Sequence, residues 1–261
     1  MDIKAIRKNL KSLYKNKRLV QYCRDPLYVY KSHEIDWILI LKKLDDTITN
    51  ELTHNSVYSE TSKYRANKLQ FVDMFHKFDN TIKNENISYY IGTNITSNNF
   101  PNALDTSGIQ YYKTIAPAFF DQITENKISL MKFTGSFFRF HDNGVVLTFG
   151  HYKNGLKFGL WKEYFINGCP RSKGTYKKNL QHGKWTYYYT NGNYETIGFC
   201  YNNLKHGKWT YYNIKGDVES QGHYKYGLES GKKLYFNVSN IGTKMKTTYG
   251  VKPKKHSCWF C

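Results

Sequence analysis

Between about Gly135 and about Asn240 the chain alternates short aromatic runs with polar ones, and glycine or asparagine closes each of them. The run GKWTYYYTNG (Gly183 to Gly192) has the aromatic enrichment of a strand. It ends in Asn-Gly, which favours a type I′ turn because both residues tolerate φ > 0. A more polar strand such as GTYKKNL (Gly174 to Leu180) accompanies it, so one unit is two short strands and two turns. The pattern recurs. Gly135, Gly159, Gly183, Gly207 and Gly231 are each 24 residues apart, as are Gly144, Gly168, Gly192 and Gly216, and again Gly150, Gly174, Gly198 and Gly222. Trp161, Trp185 and Trp209 keep the same interval, with Phe137 at the equivalent place before them and Lys233 after. Several series in one register predict a β-hairpin array. A lone hairpin is marginal in water, so neighbouring hairpins must pack to bury their rings collectively. Pro170 suits a strand end or bulge.

Residues 1 to about 134 lack this period. Ile3, Ile6, Leu10 and Leu13 have the spacing of a basic amphipathic helix running to about Cys23. Leu27 to Tyr30 reads as a strand, and Ile35 to Leu41 (IDWILIL) as a buried strand or short helix. After a polar stretch come KYRANKLQFVDMF (Lys63 to Phe75), ISYYIGTNITSNNF (Ile87 to Phe100) and SGIQYYKTIAPAFF (Ser107 to Phe120). The expected fold is therefore an α+β N-terminal domain (1–134), an all-β antiparallel hairpin array (135–240) and a basic tail (241–261).

Charge narrows the choice of partner. The chain of 261 residues carries a formal net charge of +19, which favours anionic surfaces such as nucleic acid, phospholipid headgroups or acidic proteins. Five cysteines, Cys23, Cys169, Cys200, Cys258 and Cys261, are scattered and odd in number, so they form no disulfide framework. An intracellular, reducing setting is expected. No apolar run reaches the roughly 18–20 residues of a membrane-spanning helix, and the N-terminus lacks the apolar core of a secretory signal.

The spacing GLWKEYFING, GKWTYYYTNG and GKWTYYNIKG, with YKNGLKFG-type links, resembles MORN repeats, in the tryptophan-containing variant also seen in bacterial proteins named as antitoxins. The resemblance implies an elongated, twisted antiparallel sheet that serves as a scaffold for a protein or an anionic, phosphoinositide-type lipid, with no enzymatic activity. The usual MORN unit is slightly shorter and has a Tyr-x-Gly core, from which this chain departs. In the first half, the order of Tyr64-Arg65, Tyr90 to Gly92 and Gly108 to Tyr112 resembles a small domain of mimivirus-like giant DNA viruses, which implies no activity. Thr106 and Ser107 stand where that domain has a cysteine.

The tail offers three readings. Cys258 is fourth from the end, the prenylation position of a C-a-a-X box, behind a polybasic stretch. Cys258 and Cys261 supply two thiolates, whereas a structural zinc site needs four ligands. The third reading is a plain basic tail. Elsewhere no phosphate-binding, nucleophile-elbow or zinc-protease motif occurs. His182 and His206, like His151 and His223, recur at repeat positions and read as turn or strand residues. No catalytic residue, metal or cofactor is expected. The leading function is a non-enzymatic interaction scaffold binding a protein or anionic phospholipid, peripheral to a membrane in the second case. The alternative is single-stranded nucleic-acid binding, with bases on Tyr187, Tyr189 or Tyr211 and phosphate on Lys184 and Lys208.

Overall fold

Almost every described residue of the second half lies in a strand or in the turn between two strands, as its aromatic runs and turn residues require. The computed structural model describes residues 17–34, 36–52, 56–78, 90–97, 108–237 and 244–248. The chain divides into two compact units, one of residues 1–130 with 136–147, the other of 131–135 with 148–261. The segment 136–147 thus groups with the first unit, although it carries Gly144, the first of one 24-residue glycine series.

The first unit is an antiparallel sheet of six strands in the order β3-β6-β1-β2-β4-β5. These are β1 (Tyr28–His33), β2 (Trp37–Lys42), β3 (Lys63–Ala66), β4 (Lys68–His76), β5 (Asn94–Thr96) and β6 (Ile109–Tyr112). Ile38 to Leu41 of β2 are all buried, which makes this apolar stretch a central strand covered on both faces. In β4 buried residues alternate with half-buried ones, so one face meets the core. Val29, Leu39, Leu41, Tyr64, Leu69, Phe71 and Tyr111 pack together there. Three six-residue helices accompany the sheet: α1 (Lys17–Tyr22), α2 (Ile115–Phe120) and α3 (Glu125–Leu130). Helix α2 is buried along its whole length and packs against β1 and β6. Pro117 falls in its first turn, where a missing N–H costs no helical hydrogen bond. Of the expected N-terminal helix only the end, α1, lies within the described residues.

The second sheet is antiparallel, and its strands pair in sequence order. After β7 (Gly135–Phe140) come β8 (Val146–Lys153), β9 (Leu156–Tyr164), β10 (Pro170–Lys177), β11 (Leu180–Tyr188), β12 (Tyr194–Tyr201), β13 (Leu204–Tyr212) and β14 (Val218–Lys225). Each strand from β8 to β14 pairs with the next; β16 (Lys233–Asn237) and β17 (Lys244–Thr248) follow, and the two-residue β15 (Leu228–Glu229) pairs with β14. Pro170 opens β10 beside a register shift, as its lack of an N–H donor demands.

The tryptophans explain the glycines. Trp161, Trp185 and Trp209 are buried, and their rings lie on Gly150, Gly174 and Gly198 of the preceding strand; a Cβ at any of these would overlap ring atoms. The ring leans back because β11 crosses in four residues, Thr186 to His182, the interval that β10 crosses in two, Lys173 to Thr175. Gly183, at φ +84°, lies inside this bulge. Trp185 Nε1 donates to the Thr175 carbonyl at 3.3 Å and Trp209 Nε1 to the Phe199 carbonyl at 2.9 Å.

The turns differ from the sequence expectation. In the Asn-Gly loops only glycine takes positive φ, 85° at Gly168 and 88° at Gly192. Gly168 N–H donates to the Phe165 carbonyl and Phe165 N–H to the Cys169 carbonyl, so these are three-residue loops closed by a glycine bulge, not type I′ turns. Asn167 and Asn191 instead reach sideways: their Nδ2 groups donate to the Thr190 and Ile214 carbonyls, both at 2.9 Å. Paired positive φ occurs at the other end of the hairpins, at Asn154-Gly155, Lys178-Asn179, Asn202-Asn203 and Tyr226-Gly227. There the N–H of Gly155, Asn179, Asn203 and Gly227 donates to the carbonyl of Phe133, Lys157, Gln181 and Lys205 respectively. The loops at Asn167 and Asn191, and the opposite ends at Gly155, Asn179, Asn203 and Gly227, are therefore tied to a neighbour.

These contacts make the glycine positions unequal. Gly174→Ala or Gly198→Ala drives a methyl into an indole and should lower stability by about 1–3 kcal/mol or more. Gly222→Ala should be neutral or slightly stabilising, because its Cβ would stand 3.6 Å from Lys233 Cγ and no tryptophan covers it. Urea titration of the full chain, followed by tryptophan fluorescence, separates the two outcomes.

Candidate binding face

Side chains directly opposite in an antiparallel pair share a face, so the pairings assign both sides of the repeat sheet. One face carries the tryptophans. Tyr152, Trp161, Tyr176 and Trp185 meet edge-to-face with centroids 5.1, 5.8 and 5.1 Å apart, and Tyr187 lies stacked 5.9 Å from Trp185 and 6.5 Å from Trp209. Cations of the chain already occupy these rings: Lys157 Nζ is 5.0 Å from the Trp161 centroid, and Lys205 Nζ is 4.8 Å from that of Trp209. At the far end Tyr211 and Tyr224 hydroxyls meet at 2.8 Å, and Tyr224 donates to Glu229. Burial and these two hydrogen bonds push the Tyr224 hydroxyl well above its ordinary pKa.

The opposite face is built differently. Register places Lys173 with Thr186, Lys184 with Phe199, and Lys208 with His223. Lys162, Lys177 and Lys225 fall on the same side, and all but the half-buried Lys162 are exposed. Glu195 and Glu219 stand at bulges near the Asn-Gly end. Phe199, Tyr201 and Tyr226 are 53%, 46% and 54% exposed. A row of rings crosses the strands here: His182 to Tyr201 at 5.3 Å, Tyr201 to His206 at 6.2 Å and His206 to Tyr226 at 5.1 Å. Toward the other strand ends Tyr188, Tyr194 and Tyr212 form a second row at 5.4 and 5.8 Å. Lys173 Nζ lies 5.8 Å from the Tyr188 centroid, and its hydrogen bond to that hydroxyl holds its pKa above the usual lysine value. Positive charge and exposed rings therefore interleave.

The nucleic-acid constellation expected from the sequence is not assembled. Tyr187 and Tyr211 belong to the tryptophan face, Lys184 and Lys208 to the opposite one, and Tyr189 turns its hydroxyl to the Tyr212 carbonyl at 2.8 Å. Residues three apart on a strand point to opposite sides, so Lys184 and Tyr187 cannot act together. The rings that accompany the lysines are Phe199, Tyr201 and Tyr226. For Phe199 and Tyr201 the signal in the sequence was their place on a link strand: Tyr201 stands one 24-residue period after Lys177, and Phe199 two residues before it. Of the repeat residues, Trp161, Trp185 and Trp209 lie on Gly150, Gly174 and Gly198, whereas no tryptophan covers Gly222. Cys258 lies outside the described residues. Among those residues no cluster of three or more His, Cys, Asp or Glu could hold a metal, and no helix is long and apolar enough to cross a membrane. No protein-family model matches the chain, and no curated protein matches it.

The first unit holds a separate polar cluster. Lys77 Nζ, almost fully buried, donates to Ser32 Oγ and to the Asp121 carbonyl, both at 2.8 Å. Burial lowers its pKa to about 8, opposed by the charges of Asp121 and Asp36. Asp121 also faces Lys63 and Tyr112 in a pocket of about 300 Å³ that Phe120, Arg139 and Phe140 help to line. Burial, then the Asp121 charge, pushes the Tyr112 hydroxyl far above its ordinary value. An unfolded lysine keeps its proton to about 10.4, so above about pH 8 the unfolded state binds more protons than the folded one. Stability of this unit should therefore rise between pH 8 and pH 10, by on the order of 2–3 kcal/mol from Lys77. In Lys77→Met most of that rise should vanish, as read by urea titrations at pH 7.5, 8.5 and 9.5.

Proposed function

We propose that this chain is a non-enzymatic interaction scaffold: a MORN-type hairpin array of 24-residue units beside an α+β N-terminal domain, acting inside the cell. Its docking surface is the basic, ring-bearing face of the repeat sheet, and its partner is negatively charged: an acidic protein segment, anionic lipid headgroups or, as the second reading, a single-stranded nucleic acid. The observation that carries this reading is the inequality of the two faces. One consumes its tryptophans and several lysines in internal contacts; the other leaves lysines and rings in water with few carboxylates to neutralise them. Exposed aromatic groups beside cations characterise surfaces that bind partners. The free Cys23, Cys169 and Cys200 suit a reducing setting.

The test compares the full chain with Lys173→Glu/Lys184→Glu/Lys208→Glu, and with Lys178→Glu/Lys215→Glu as a control in exposed turns. Wild type should bind at least one of phosphatidylserine vesicles, polyglutamate or oligothymidylate, more weakly as salt rises. The triple variant should lose about tenfold or more, and the turn control less than about twofold. Equal loss in both variants would show a diffuse charge effect and remove this face as the docking surface.

A further inference from the structure

Resting on that docking face, we propose that its occupant is single-stranded nucleic acid, lying across the strands with bases on the exposed rings and phosphates on the lysines. Charge alone would serve any polyanion. The rings make the distinction. Tyr201 and Tyr226, with centroids 5.9 Å apart, leave His182 and His206 within the same row, and Phe199 stands directly opposite Lys184. An acidic peptide uses the ammonium groups of such a surface but has no planar groups to set on its rings. A bilayer interior would be met here mostly by tyrosine and histidine, whose hydroxyl and ring nitrogens would be stripped of water. Unpaired bases offer both complements at once, π-faces for the rings and polar edges for the hydroxyls and imidazoles. A duplex buries its π-faces in its own stack, and among the described residues the strands of this face carry no helix for a groove. Single strands are therefore the form that fits, with little sequence preference, since every base can stack.

The experiment measures fluorescence anisotropy of a labelled oligothymidylate of about 12 nucleotides, within the span of known single-strand sites, against the full chain from about 50 to 200 mM salt. Unlabelled duplex of equal length, polyglutamate and phosphatidylserine vesicles serve as competitors. Affinity should fall with salt at about 0.7 per phosphate contacted on logarithmic axes, and Lys184→Gln/Lys208→Gln should reduce that slope by about 1.4. Tyr201→Ala should weaken binding about fivefold or more, whereas Tyr201→Phe, which keeps the ring, should bind as wild type does. Circular dichroism confirms that each variant is folded. Equal affinity for duplex, or no loss in Tyr201→Ala, overturns the proposal. If vesicles or polyglutamate bind and the oligonucleotide does not, the nucleic-acid inference falls while the docking face stands. If none of the three binds, both fall.

Discussion

An indole lying flat on a neighbouring strand is possible only where that strand has no side chain, and the repeat sheet is organised around this requirement. Trp161, Trp185 and Trp209 each cover one glycine, and the bulge at Gly183 and its counterparts supplies the extra residues that let the ring lean back. Each indole then touches tyrosines on both sides, so burial along the face is continuous although no second layer among the unit's described residues covers it. A single sheet ordinarily lacks an inside. Here the rings make one, about one side chain thick, at the cost of committing a whole face to internal cohesion.

The file of rings also has an end. At the position equivalent to the tryptophans the last repeat has Lys233, and Gly222 is left without an indole. Lys233 Nζ lies 5.2 Å from the Tyr211 centroid and 3.9 Å from Glu229, which accepts from Tyr224. Charge and hydroxyls thus take over where ring packing stops, while β16 and β17 continue the sheet. This division leaves the opposite face as the surface whose chemistry is unspent.

Much of the array was legible from residue spacing, because glycine, tryptophan and turn residues recur in one register and each has few alternative uses. Pairing order followed from it. Turn type did not. Asn-Gly is the strongest short hairpin signal, yet Asn167 and Asn191 keep negative φ because their amides bond to the adjacent hairpin, a lateral demand invisible in a local dipeptide. The primed turns fall partly on Lys178-Asn179 and Tyr226-Gly227, where lysine and tyrosine take a conformation they disfavour. Face assignment was legible in principle, since alternation separates Lys184 from Tyr187, but the clustering of Lys and Tyr in sequence obscured it. In the first unit the strand at Tyr28–His33 was readable from its sequence, whereas the apolar run at Trp37–Lys42 left strand and short helix open, and the structure makes it a strand. The buried Lys77 was not, because nothing in its surroundings in the chain shows that Ser32 and the Asp121 carbonyl will meet its ammonium.

The ties at both hairpin ends have a consequence for length. At one end a turn N–H reaches back 22 residues, from Asn179 to Lys157 and from Asn203 to Gln181; at the other an asparagine amide reaches forward 23, from Asn167 to Thr190 and from Asn191 to Ile214. One residue inserted into a single strand would put both rails out of step and move an indole off its glycine. A whole hairpin added or removed would leave every rail intact. Such an architecture is rigid in its unit and free in its count, so its reach can be altered in steps of two strands, roughly 10 Å of sheet width each, without redesigning any contact.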